Sequence, residues 1–119
     1  MTPRTNGGQM ETVAKRTLVK SAPELWELAD DLLRMEAWLR DVAGGPVDTV
    51  EVIERRPEEI LAWRSSDARI ALELAEGTFG TAVEIKAMHE TSDRDCAERA
   101  LERLLDELGS PERRPFARG

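Results

Sequence analysis

A chain of 119 residues, 40% hydrophobic and 34% charged, has room for one domain around one core and little beyond it. No apolar run approaches the roughly 20 residues of a membrane span, and one cysteine, Cys96, with one histidine, His89, allows neither an internal disulfide framework nor a zinc site built from Cys and His. A formal net charge of −7 argues against a nucleic-acid partner, since the basic pairs Arg55-Arg56 and Arg113-Arg114 are short and interleaved with Glu and Pro.

Residues 1–10 contain Pro3, Asn6, Gly7 and Gly8 and almost nothing apolar, which predicts a flexible leader. They are polar and lack an apolar h-region, so no secretory signal is expected and a cytoplasmic location is the default. Residues 11–20 carry the β-branched Thr12, Val13, Thr17 and Val19 and read as a strand, though the alternation is too imperfect to fix its buried face. Ser21-Ala22-Pro23-Glu24 then starts a helix: Ser21 as N-cap, Glu24 completing a capping box, and Pro23 in the first turn. Leu25, Leu28, Ala29, Leu32, Met35 and Leu39 recur at spacings of three and four, and Trp26, Leu33 and Trp38 widen the stripe. Gly44, Gly45 and Pro46 end this helix, unless a bend near Met35 sets Trp38 beyond it.

Residues 47–55 predict a strand with Val50 and Val52 on one face and Thr49, Glu51 and Ile53 on the other. Pro57-Glu58 predicts a type I turn into residues 60–65, and Ser66-Asp67 turns the chain again into residues 69–76, where Ile70, Leu72 and Leu74 share one face. After a turn at residues 77–80, Thr81, Val83, Ile85 and Ala87 alternate with Ala82, Glu84, Lys86 and Met88. Ser92 or Asp93 is placed to cap a last helix with the apolar set Cys96, Ala97, Ala100, Leu101, Leu104, Leu105 and Leu108. Gly109 and Pro111 end it. The expected domain is therefore 11–109, followed by a flexible basic tail over 110–119.

Three segments carry a resemblance. Ser21-Ala22-Pro23-Glu24-Leu25-Trp26, the run from Asp31 to Trp38-Leu39, and Pro57-Glu58-Glu59-Ile60-Leu61-Ala62-Trp63-Arg64-Ser65 stand in an order that resembles the helix-grip fold of the START-like (SRPBCC) superfamily, its polyketide cyclase/dehydrase-like branch in particular. The resemblance implies an α+β fold: a shortened helix grip, with a curved antiparallel sheet of about five strands packed on a long C-terminal helix. It also implies an apolar small molecule or lipid as partner, held between sheet and helix. Family members are usually longer by about two strands, and the tight Ser65-Ser66-Asp67 turn replaces their Gly-containing segment, so a small or missing cavity is expected. A shortened sheet also leaves an edge to cover, and a homodimer is one way to do so.

The implied ligand-binding set is Trp38, Trp63, Leu72, Leu74, Val83, Ile85, Leu101 and Leu104. Trp38 and Trp63 are the stacking candidates, although a Trp in a small domain is more often an anchor of the fold. A chain this short favours solid packing over a pocket. No catalytic residue, metal ligand or cofactor is assigned. There is no tyrosine; His89 falls near a strand end, on the face of Val83 and Ile85 by parity, as a solvated or hydrogen-bonded structural residue; and Arg64 points away from Trp63. Cys96, in the first turn of the last helix, reads as a buried thiol, and Asp30-Asp31 and Glu58-Glu59 as solvated charges. The leading expectation is non-catalytic binding of an apolar ligand. The alternatives are a cavity-poor interaction or homodimerisation module and, third, a polyketide cyclase or dehydrase.

Overall fold

The computed structural model describes residues 10–89 and 94–110. The expected leader and tail fall outside them, apart from Met10 and Ser110, as do the cap candidates Ser92 and Asp93. The elements are β1 (Met10–Leu18), α1 (Ala22–Ala29), α2 (Leu32–Ala43), β2 (Glu51–Arg56), β3 (Ile60–Arg64), β4 (Ala68–Gly77), β5 (Gly80–His89) and α3 (Arg94–Gly109). The strands form one curved antiparallel sheet in the order β1-β5-β4-β3-β2, covered on one face by the three helices.

The pleat assigns the faces. Ile70, Leu72 and Leu74 of β4 and Val83, Ile85 and Ala87 of β5 turn inward and are buried, while Glu73, Ala75, Ala82 and Lys86 are exposed on the other side. On β1 the face left open by the sequence is settled by pairing with β5: Thr12, Ala14, Arg16 and Leu18 lie inward and Glu11, Val13, Lys15 and Thr17 outward. β2 is shorter than expected and starts at Glu51. Its register with β3 shifts between Val52 and Glu54, which leaves Ile53 38% exposed while Val50 and Val52 pack on the core. The preceding segment is held instead by Asp48, which accepts from Ser66 N at 3.1 Å and Ser66 Oγ at 2.6 Å. Those hydrogen bonds favour its ionised form and keep its carboxyl below the ordinary range.

Ser21 caps α1 and makes the expected box: its N–H donates to Glu24 Oε1 at 2.9 Å, its Oγ accepts from Glu24 N at 3.4 Å, and the bonds hold the Glu24 carboxyl below its usual value. The single long helix is not formed. Asp30 ends α1 by donating its N–H to Trp26 O, and Asp31 starts α2 by accepting from Leu33 N at 2.9 Å and Arg34 N at 3.4 Å. The break resets the helical phase, so Leu32 (60%) and Leu33 (79%) drop out of the buried stripe, which resumes at Met35, Trp38, Leu39 and Val42. Trp38 follows a break, but one five residues earlier than the bend considered at Met35.

The turn at Pro57 also differs from expectation. Glu59 N donates to Arg56 O at 2.9 Å, and Glu58 at the third position has φ +64°, the type II signature rather than that of type I. α3 spans 16 residues, about 24 Å at 1.5 Å per residue, and so is not the long helix expected. Its apolar set is buried as read, except that Cys96 is only half-buried. It runs along β1 and against α2, while α2 covers β4 and meets Trp63. The covering layer is thus shared by all three helices, with α2 and α3 packed against each other, where the resemblance implied one.

Candidate functional site

The eight residues of the implied ligand set do converge. Trp38 from α2, Trp63 from β3, Leu72 and Leu74 from β4, Val83 and Ile85 from β5, and Leu101 and Leu104 from α3 belong to one cluster, each no more than 8% exposed. Their periodicities required it: period two brings alternate strand residues to the inner face, and spacings of three and four bring the helical ones down onto it. Leu25, Met35, Leu39, Leu61, Ile70, Leu105 and Leu108 fill the same layer at 0% exposure.

The two indoles meet at its centre. Their ring centroids are 6.0 Å apart with planes inclined by 42°, a tilted arrangement that suits the aromatic quadrupoles. Trp63 is fully buried, and its Nε1–H donates to the Met35 carbonyl at 3.1 Å. Trp38 Nε1–H donates to Glu107 Oε1 on α3 at 2.8 Å. Each polar edge that could have oriented a ligand is engaged within the chain, and the bonds tie α2 to the sheet and to α3.

Two surface depressions lie away from this layer. A depression of about 520 Å³ sits on the outer face of the sheet around Lys15, Thr17, Ala75 and Ala82, and one of about 570 Å³ lies beside Thr49–Glu51 and Arg64–Ser66. Of the eight implied residues, only Leu74 and Val83 border either of them.

His89 lies on the face of Val83 and Ile85, as parity predicted, and of the two expected states, solvated or hydrogen-bonded, it takes the second, being fully buried. Its Nε2 and Thr12 Oγ1 share a hydrogen bond of 3.2 Å, which joins β1 to the end of β5. Arg64 is exposed and pairs with Glu51 at 3.2 Å, while Asp30 pairs with Arg55 at 2.9 Å. Among the described residues no three His, Cys, Asp or Glu side chains converge in a way that could hold a metal ion, and no helix is long and apolar enough to cross a membrane.

One polar feature had no signal in the sequence. Arg16 turns inward from β1 and divides its guanidinium between Asp106, 2.6 Å from Nη1, and Glu102, 2.5 Å from Nη2. Bonding to Asp106 and Glu102 raises the Arg16 pKa against the effect of burial. The pairs are largely exposed, and ion pairs of this kind contribute roughly 0–1 kcal/mol each. They join α3 to β1.

No protein-family model and no curated protein matches the chain. Solved structures do. A Mesorhizobium loti protein, MLL2253, superposes with a TM-score of 0.63 at 18% identity over 84% of this chain and 94% of its own. An AHSA1-like protein of Rhizobium etli gives 0.63 at 16% identity, covering 85% and 80%, and CalU16 of Micromonospora echinospora gives 0.61 at 16%, covering 83% and 71%. The chain shares their fold. That likeness agrees with the START-like, helix-grip resemblance read from the sequence, and at these identities it speaks for the fold alone.

Proposed function

We propose that this protein is a START-like, helix-grip domain that acts through its surface, as a protein-interaction module, and not through a ligand held inside. The observation that carries this reading is the filled layer between sheet and helices, where Trp38 and Trp63 pack on each other and spend their N–H groups on Glu107 and Met35. Large apolar groups that the core does not use stand outside: Phe79 at 88% exposure, Val19 at 91%, Leu33 at 79% and Leu32 at 60%. Where such groups join into a contiguous patch, they commonly mark an interaction surface.

A second reading is uptake of an apolar small molecule or lipid between the sheet and α3. It draws on the continuity of the apolar layer from Trp38, Trp63, Leu72 and Leu74 through Val83 and Ile85 to Leu101 and Leu104, which a ligand would have to part.

Thermal unfolding in the presence of fatty acids, quinones and aromatic polyketides separates the two. A ligand bound only by the native state at 100 times its Kd adds about 2.7 kcal/mol and raises Tm by several degrees. The surface-acting reading expects no rise across the panel. A rise that saturates with concentration would contradict it and favour uptake.

A further inference from the structure

The two edges of the sheet are not alike. β2 has six residues, four of them charged, and a register shift at Ile53, the features by which proteins blunt an edge against pairing. β1 has nine residues in unbroken register with β5 from Met10 to Leu18, and no strand of the described residues pairs with its other side. Along that side runs a trough of about 380 Å³, with Thr12, Val13 and Ala14 on one wall and Asp95, Glu98 and Glu102 of α3 on the other. Its β1 wall is centred on Val13.

We propose that β1 pairs antiparallel with β1 of a second copy of this chain, across a two-fold axis at Val13, to make one continuous sheet. This names the partner of the surface-acting reading and rests on that reading for its purpose. Symmetry restricts the register. In an antiparallel pair, residues directly opposite share the same hydrogen-bonding phase and the same face, so two identical strands must oppose residues of equal parity, and the axis must pass through a residue. An axis at Lys15 sets that lysine against itself. On the exposed outer face, an axis at Thr12 opposes Glu11 to Val13 and one at Ala14 opposes Val13 to Lys15, so both leave charge against an apolar group there. At Val13 alone, Glu11 faces the partner's Lys15, Lys15 faces the partner's Glu11, and Val13 meets its own copy between them. All three project from the exposed outer face, with Val13 46% exposed. A β-branched pair flanked by two opposite-charge pairs is a favourable cross-strand arrangement.

Sedimentation equilibrium on the full chain tests the pairing. A dimer is expected, and Glu11→Lys or Lys15→Glu alone, which sets like charges opposite each other at two places, should weaken it on the order of tenfold. The double exchange should restore it, because the pairs re-form with signs reversed. Lys15 also lies opposite Glu84 in the sheet, so a thermal melt accompanies each variant. In a Cys96→Ser background, Val13→Cys should cross-link between copies on mild oxidation, and Thr17→Cys, on the same face but away from the axis, should not. A monomeric wild type, single reversals without effect, or a dimer that Val13→Cys leaves uncross-linked would each overturn the proposal. The ligand panel and the cross-link fail independently, so loss of one reading is not mistaken for loss of the other.

Discussion

Replacing Trp63 by alanine is expected to cost about 3–5 kcal/mol for the removed ring, its hydrogen bond and the residual cavity. The indole is wholly buried, packs on Trp38 at 6.0 Å and donates to Met35 O at 3.1 Å. Against total stabilities of about 5–15 kcal/mol this is a large fraction of the whole. Trp63→Phe keeps an aromatic ring while removing the donor and part of the indole, so it should cost less, about 1–3 kcal/mol. Urea unfolding reads both values as shifts in midpoint at unchanged slope. A loss of under 1 kcal/mol for Trp63→Ala would mean that the ring does not anchor α2 to the sheet.

The second large effect lies at Gly80. Its φ of +142° is unfavourable for a side chain, and a Cβ there would overlap the Leu18 carbonyl oxygen and lie 3.0 Å from the Leu18 carbonyl carbon. The obstacle is backbone, and Leu18 is the last residue of β1 paired into β5, so relief requires the end of that ladder to open. Strain and overpacking of this kind each cost about 1–3 kcal/mol, so Gly80→Ala is expected to lose about 2–6 kcal/mol. Gly44, the left-handed C-cap of α2 at φ +79°, provides the control, because nothing lies within 4 Å of its added Cβ. Gly44→Ala should lose only about 1 kcal/mol. Equal losses at the two sites would show that the hairpin tip does not press on β1 as described.

Much of this architecture was legible in the chain because the signals were local. Ser21 and Glu24 wrote the start of α1, alternation from Thr81 to Ala87 wrote the inner face of β5, and the set from Ala97 to Leu108 wrote the buried stripe of α3. The break between α1 and α2 was missed because the three-and-four spacing runs through it: Leu32 satisfies the pattern, yet Asp30 and Asp31 hydrogen-bond the backbone there and reset the phase. Asp31 was a readable cap candidate, being an aspartate before an apolar run. The contacts of Arg16 with Asp106 and of Ser66 with Asp48 join residues 90 and 18 positions apart, and nothing periodic in the sequence points to them.

The candidate site shows the same division. Periodicity brought Trp38, Trp63, Leu72, Ile85, Leu101 and Leu104 to one layer. It did not reveal that α2 shares the cover with α3, and so whether that layer is hollow or filled was beyond its reach. Volume is a property of the whole set of side chains and is not carried by the spacing of any one element.

Fluorescence quenching addresses the filled layer directly. In a Trp26→Phe variant, only Trp38 and Trp63 emit, and both are at most 2% exposed. Acrylamide is the suitable quencher, because the net charge of −7 would itself repel iodide. Quenching in the native protein should be weak and should rise sharply when urea unfolds the chain. Native quenching close to that of the unfolded chain would place the indoles against water and contradict the packed layer on which this account depends.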